Sequence, residues 1–296
     1  MYFLVSFGKL ITLLRIKQWS KNLLIFLPLF FGGQFQNLAA LKVTFITFIG
    51  FSFIASAIYC LNDILDKGAD SLHPIKKKRP VASGEISILQ AFFLFLSLML
   101  IGLGILAFSP IPLSVIWAAF IYIFLNIAYC LKLKYISILD VIIVAISFNL
   151  RLVIGGFASN VPLSHWIILM TFLLGLFLGY AKRLGNIHLH KKAGLAQLNG
   201  LKYNIQYLNL LLTLTASMTI VCYIMYTVSP EVSELHGSNF AYLTSIFVIA
   251  GIFRYLQLAI VDNRTPCPTE ILLRDRFIQT CLVLWILSFV LIIYIW

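Results

Sequence analysis

The chain has 296 residues, 61% of them hydrophobic and only 11% charged, with a formal net charge of +12. A soluble domain carries about 25% charged residues, so the composition excludes one and points to a polytopic membrane protein with room for roughly nine spans of about 20 residues. The basic excess is divided among short stretches between apolar runs, which argues against nucleic acid and suits anionic lipid headgroups or phosphorylated substrates.

Residues 1–21 read as an interfacial amphipathic segment, with Phe3, Leu4, Phe7, Leu10, Leu13 and Leu14 set against basic residues. Lys9, Arg15, Lys17 and Lys21 interrupt the apolar run that a secretory signal needs. Apolar runs predict spans at 22–36, 41–61, 88–108, 111–131, 136–158, 162–181, 205–228, 240–261 and 277–296. Pro110, Pro112, Pro162 and Pro230 punctuate the turns. One set of loops holds Lys67, Lys76, Lys77, Lys78, Arg79, Lys132, Lys134, Lys182, Arg183, Lys191, Lys192, Lys202, Arg264, Arg274 and Arg276. The opposite loops, at 37–40, 109–112, 159–161 and 229–239, hold no Lys or Arg, and only Lys42 flanks that side. This asymmetry predicts a cytoplasmic N-terminus, an odd number of spans and an external C-terminus. The chain reads as one domain, 1–296. Two long polar loops, 62–87 and 182–204, give a weak internal echo. Cys60, Cys130, Cys222, Cys267 and Cys281 show no C-x-x-C spacing and read as reduced, structural thiols.

The second span ends in N-D-x-x-D-x-x-x-D, formed by Asn62, Asp63, Asp66 and Asp70, and His73-Pro74, Lys76 and Arg79-Pro80 follow. At helical spacing Asp63 and Asp70 lie nearly one above the other, with Asp66 roughly 60° round. Three carboxylates on one face repel each other unless a cation sits among them. Mg²⁺ prefers oxygen ligands and bridges carboxylates to substrate phosphates. Asp63, Asp66 and Asp70 are therefore the candidate metal ligands of a metal–diphosphate site. A solvated acidic loop is the plainer alternative, and the immediate turn to basic residues weighs against it.

Asp140 and Arg151 lie eleven residues apart in the fifth span, about three helical turns, and so share a face. Ionisable residues at membrane depth face a cavity or a partner and mark function; a structural ion pair with other helices is the alternative. Tyr129, Lys132 and Lys134 lead into this span, and each lysine also suits snorkelling. Lys182-Arg183 closes the sixth span in G-Y-A-K-R, on the same side of the membrane as the Asp cluster, where it is placed for phosphate. His188 and His190 form H-x-H with no Cys or carboxylate nearby and read as a solvated basic loop. The last basic loop, P-T-E-I-L-L-R-D-R from Pro268 to Arg276, offers arginine forks for phosphate, or salt bridges with Glu270 and Asp275. Arg254 lies within the eighth span. No Ser-His-Asp set, Walker-type run or Rossmann fingerprint stands in a suitable context.

Together these motifs resemble the UbiA-type polyprenyl transferase superfamily, and within it the decaprenyl-phosphate phosphoribosyltransferase branch. The resemblance begins at L-R-I-K-Q-W-S-K-N (Leu14–Asn22), continues through Asn62–Pro80, Leu133–Val141 and Leu150–Gly156, takes in Lys182-Arg183 and Arg254–Leu256, and ends in L-L-R-D-R (Leu272–Arg276). It implies an all-α integral membrane bundle of about nine transmembrane helices, with a cytoplasmic active-site cavity and Mg²⁺ as cofactor. Family members that use aromatic acceptors carry a second D-x-x-x-D. Here residues 182–204 contain no Asp or Glu, which leaves one acidic half opposite a basic half of Lys182, Arg183 and Asn186. Two departures stand out: Ile16 occupies a position that is Pro in the branch, and Asn186 one that is Glu.

The activity so implied is Mg²⁺-dependent transfer of 5-phosphoribosyl from 5-phosphoribosyl diphosphate to a polyprenyl phosphate. Asp63, Asp66, Lys134, Asp140, Lys182 and Arg183 are the expected catalytic residues. Lys17, Lys21, Asn22, Asn62, Lys76, Arg79, Tyr129, Arg151, Asn186, Arg254, Arg274 and Arg276 are the expected substrate contacts. The partners are the lipid phosphate, the sugar donor and membrane lipids in a cell inner membrane, with a homo-oligomer left open. An aromatic or haem prenyltransferase using a prenyl diphosphate is the alternative enzyme. A non-catalytic lipid-phosphate carrier is the alternative of another class.

Overall fold

A computed structural model of the chain describes residues 7–73, 75–192, 202–230, 232, 234, 240–262, 271 and 274–294. Among them every regular element is helical. The chain opens with α1 (Phe7–Leu14), a 3-10 stretch (Ile16–Phe26) and α2 (Leu27–Phe31). There follow α3 (Leu38–Leu65), α4 (Lys67–Leu72), α5 (Ile88–Phe108), α6 (Leu113–Leu131), α7 (Leu139–Ser159), α8 (His165–Lys192), α9 (Ile205–Val228), α10 (Ser245–Leu256) and α11 (Arg276–Tyr294). A 3-10 turn (Ala241–Thr244) enters α10 and a π-helical stretch (Gln257–Val261) leaves it.

Eight helices among the described residues are long and apolar enough to cross a membrane. They fall where the apolar runs predict them, which identifies a multi-pass integral membrane protein. The span expected at 22–36 takes another form. Eleven 3-10 residues run without a break into a five-residue α-helix there, so the segment is helical without being one regular α-helix. Pro28, which donates no backbone hydrogen bond, lies in that short helix.

The helix starts are set by ordinary chemistry. The Asn37 side chain accepts from the Ala39 and Ala40 amides to cap α3. Ser87 and Gln90 form a capping box on α5. The Asn204 side chain accepts from the Tyr207 amide at 2.7 Å to cap α9. Helix α7 ends into Asn160 at φ 54°, the left-handed position that asparagine tolerates. Large apolar side chains such as Leu100, Phe108, Phe124 and Leu210 face outward. In water such a surface would be a liability; in lipid it is the solvent-facing surface.

Two compact units divide the chain. The first comprises residues 1–30, 34–136 and 150–162. Its core gathers Ile25, Phe51, Ile54, Ile58, Leu106, Tyr122 and Ile154. Helices α3 and α5 meet backbone to backbone there. A Cβ on Gly102 would lie 2.7 Å from the Gly50 carbonyl oxygen, and one on Gly50 2.9 Å from the Leu106 side chain. Small residues of this kind let helices approach closely where lipid supplies no hydrophobic drive.

The second unit comprises 31–33, 137–149 and 163–296. Val141, Phe177, Tyr180, Leu184, Leu208, Leu212 and Tyr255 are central in its core. The Trp285 indole donates to the Tyr223 hydroxyl at 2.6 Å, and that hydroxyl also pairs with Thr244 Oγ1 at 2.6 Å. Helix α7 therefore supplies residues to both units, with Asp140 in the second and Arg151 in the first.

Candidate active site

The acidic motif sits where α3 gives way to α4 in the first unit. Asp66 is the joint between the two helices (φ −90°, ψ 2°), so the motif is not one uninterrupted helix. The backbone pattern nevertheless carries on, since the Asp66 amide donates to the Asn62 carbonyl and the Asp70 amide to the Asp66 carbonyl. The helical spacing thus survives the joint. Asp63 and Asp70 are each about 2% exposed, and a buried carboxylate needs a charge or several donors beside it.

Those charges are present. Arg79 Nη1 donates to Asp63 Oδ1 at 3.0 Å and to Asp70 Oδ2 at 2.5 Å. Lys76 lies 3.7 Å from the other Asp70 oxygen. Lys134 Nζ donates to Asp66 Oδ1. Arg15 Nη2 donates to Asp63 Oδ1, and its guanidinium lies 5.1 Å from the centre of the Tyr59 ring. The loop that delivers Arg79 is tied by His73, whose Nδ1 accepts from the Ile75 and Lys76 amides. Arg15 reaches the site from a left-handed backbone position (φ 50°, ψ 46°) between α1 and the 3-10 stretch, which costs a non-glycine residue roughly 1–2 kcal/mol. Asn62 accepts from the Cys130 thiol at 3.5 Å, in keeping with a structural thiol.

Burial alone would lower the Lys134 pKa, but the hydrogen bond and charge of Asp66 outweigh it, and the ammonium stays above its ordinary value. Burial pulls the Arg15 guanidinium down, against the attraction of Asp63; arginine remains charged in proteins all the same.

Donor chemistry and geometry both bear on a metal. Asp63 and Asp70 send one oxygen each to a single cationic nitrogen of Arg79, so the two carboxylates converge on a point that a cation already occupies. Among the described residues no three His, Cys, Asp or Glu side chains gather tightly enough to hold a metal by themselves. This arrangement fits Mg²⁺ bound through one or two carboxylates, with the remaining ligands from water and substrate phosphate, rather than a closed protein cage.

The second unit holds a different polar group. Asp140 is fully buried. Its Oδ1 accepts from the Tyr203 hydroxyl at 2.7 Å, and its Oδ2 lies 2.6 Å from Arg183 Nε. The Tyr203 hydroxyl in turn accepts from the Ile138 amide at 2.6 Å. Ile138 has φ 73°, a strained value for a β-branched residue, and this hydrogen bond helps to hold it. Burial pushes the Tyr203 phenol up; the Ile138 N–H works the other way, and the bond and charge of Asp140 add to the rise.

Asp140 and Arg151, expected on one face of α7, each take partners from other elements. Arg151 Nε donates to Asn22 Oδ1 at 2.8 Å and its Nη2 to the Tyr122 hydroxyl at 3.1 Å, with the guanidinium against the rings of both Phe51 and Tyr122. Asn22 also donates to Ser52 at 2.9 Å. Asn22 and Arg151 are thus both sealed in the first unit. Arg254 pairs with Asp275 at 2.9 Å and with Gln257 at 3.0 Å.

Lys17, Lys182, Arg274 and Arg276 are exposed, and Lys21, Tyr129 and Asn186 half-buried. Phe3, Leu4, Pro74, Arg264, Cys267, Pro268, Glu270, Leu272 and residues 193–201 lie outside the described residues, as do the side chains of Phe7, Leu10, His190 and Lys192. Two members of these groups escape the list of expected site residues. Arg15 stands in the opening motif but reads there as one more interfacial cation. Tyr203 carries no motif at all.

The UbiA prenyltransferase family model matches residues 23–280. A decaprenyl-phosphate phosphoribosyltransferase of Mycolicibacterium smegmatis is 32% identical over 94% of the chain and 90% of its own length. One of Corynebacterium glutamicum is 30% identical over 97% of the chain and 87% of its own length. The solved structure of a UbiA homolog from Archaeoglobus fulgidus bound to GPP and Mg²⁺ shares the fold at a TM-score of 0.72 and 20% identity, over 96% of this chain and 99% of that one.

Proposed function

The chain belongs to the UbiA prenyltransferase family and is an integral-membrane transferase; on that premise we propose that it transfers 5-phosphoribosyl from 5-phosphoribosyl diphosphate to a polyprenyl phosphate and releases diphosphate. The observation that carries this reading is the set of three carboxylates interleaved with four cationic side chains at the α3–α4 joint, in a chain whose full-length relatives bear the corresponding name. A purely acidic site would take a metal and little else. This one also offers guanidinium and ammonium groups to the anionic oxygens of a diphosphate.

Bound by Asp63 and Asp70, with Asp66 beside them, Mg²⁺ supplies Lewis-acid stabilisation of the departing diphosphate. Arg79, Lys76 and Lys134 hold and neutralise its oxygens as the C1–O bond of the ribose breaks. An oxygen of the lipid phosphate forms the new bond to C1, with inversion from in-line displacement. That oxygen is already anionic, so the step needs no strong general base. Arg183, oriented by Asp140, is a further phosphate ligand. Lys17, Lys21, Lys182, Arg254, Arg274 and Arg276 supply cationic charge toward phosphate or headgroup, and Asn22 and Arg151 order the packing around the site. Asn62, Tyr129 and Asn186 contribute neutral hydrogen-bonding groups.

We read the chain as one membrane domain serving one activity, with α1 (Phe7–Leu14) at the membrane surface. On the positive-inside rule, the loop charges favour a cytoplasmic N-terminus and Asp motif, the side on which a soluble sugar donor is available.

Purified protein incubated with Mg²⁺, labelled phosphoribosyl diphosphate and polyprenyl phosphate is expected to yield a labelled lipid. Absence of that lipid, beside turnover of a prenyl diphosphate with an aromatic acid, would overturn the reading.

A further inference from the structure

One oxygen of the motif carries an unusual load. Asp63 Oδ1 accepts from two guanidiniums at once, Arg79 at 3.0 Å and Arg15. The same carboxylate is a ligand in the metal reading. Both arginines cannot stay on it if a divalent cation takes their place.

The two are anchored unequally. Arg79 also holds Asp70 at 2.5 Å, so it keeps a carboxylate if it loses Asp63. Arg15 has Asp63 and the face of the Tyr59 ring, and reaches both from a left-handed backbone position next to the 3-10 stretch.

Charge decides when an exchange is favourable. Three carboxylates and four cationic side chains leave the cluster at +1. A divalent metal alone raises it to +3, which is disfavoured in a half-buried site. Metal together with a diphosphate returns it near neutrality and gives a displaced guanidinium two phosphate groups to bind.

We propose that Arg15 is a resident counter-ion that holds Asp63 until a divalent metal arrives and then passes to the diphosphate oxygens, so that metal and diphosphate bind as one unit. This rests on the metal–diphosphate reading above and adds to it a substrate-binding residue and an order of binding.

Mn²⁺ and inorganic pyrophosphate serve as probes on the full-length protein. Pyrophosphate is expected to tighten Mn²⁺ binding to the wild type about tenfold or more, followed by the Mn²⁺ resonance signal. In Arg15→Gln, Mn²⁺ alone is expected to bind about fivefold tighter, because a competing cation is gone, and the gain from pyrophosphate shrinks. A second measurement needs no variant. Phenylglyoxal labelling of Arg15, read by mass spectrometry, is expected to rise with Mn²⁺ and to fall again when pyrophosphate is added.

Unchanged Mn²⁺ affinity in a folded Arg15→Gln protein, or labelling of Arg15 that ignores Mn²⁺, overturns the role of Arg15 while leaving the metal site standing. Failure of the wild type to take up Mn²⁺ with or without pyrophosphate overturns both.

Discussion

The α3–α4 joint and the Asp140 group solve one problem, buried carboxylates in a membrane protein, in opposite ways. At the joint three carboxylates share four long basic side chains, of which Arg15, Lys76 and Arg79 are part-exposed and Lys134 is buried. The part-exposed ones rearrange at little cost, because water reaches them and each carboxylate keeps a partner. Asp140 instead sits at full burial between a tyrosine hydroxyl and an arginine. Removing one partner there leaves a charge in a low-dielectric interior. The first arrangement suits ligand exchange; the second suits fixing one guanidinium in place.

Four measurements would break or sharpen that contrast. The largest effect is expected at the joint. Asp63→Ala and Asp66→Ala should each lower turnover by about 10³-fold or more, while the proteins still elute as folded monodisperse species. Retained activity in both would remove the metal assignment. Asp140→Asn comes next. It should cost about 10²-fold in donor kcat/KM through a misdirected Arg183, together with a clear loss of thermal stability that the joint variants do not share. Equal stability losses in both sets would erase the distinction.

Tyr203→Phe removes one hydrogen bond, worth about 1 kcal/mol. It should raise the KM for the donor about fivefold at nearly constant kcat, and a fall in kcat alone would place Tyr203 closer to the chemistry.

The smallest effect concerns Asp275. Burial pushes its pKa up, but the hydrogen bond from Arg254 and neighbouring amides outweigh that and hold it below its ordinary value of 3.8. A depressed carboxylate stabilises the fold above its unfolded pKa and loses that contribution as pH falls through the folded one. Wild type and Asp275→Asn should therefore differ slightly in melting temperature at pH 7, and the difference should shrink as the pH falls below 3.8. A difference that persists in acid would point to packing instead.

The membrane helices were legible because an apolar run about 20 residues long has few other uses. At 22–36 the apolar run does not reveal the helix type. The chain there runs as a 3-10 helix into a short α-helix that contains Pro28. The acidic motif was legible from spacing, and Lys76 and Arg79 from their nearness to it in the chain. Lys134 was placed by resemblance, and it meets Asp66 from 68 residues away.

Arg15 and Tyr203 were beyond reach for physical reasons. Arg15 meets Asp63 across 48 residues, through a left-handed turn at a non-glycine residue that no local pattern announces. Tyr203 lies 63 residues from Asp140, and its hydroxyl is indistinguishable in sequence from an interfacial aromatic. The expected division into an acidic half and a basic half was also too simple, because the joint already carries its own basic complement.

The shared nitrogen of Arg79 has a bearing on descent. Because one atom serves both Asp63 and Asp70, the three positions are coupled. A change at Arg79 would leave Asp63 to Arg15 and Asp70 to the more distant Lys76, and loss of either aspartate would leave Arg79 a half-employed cation. A substitution at one of the three should therefore change what the other two positions tolerate.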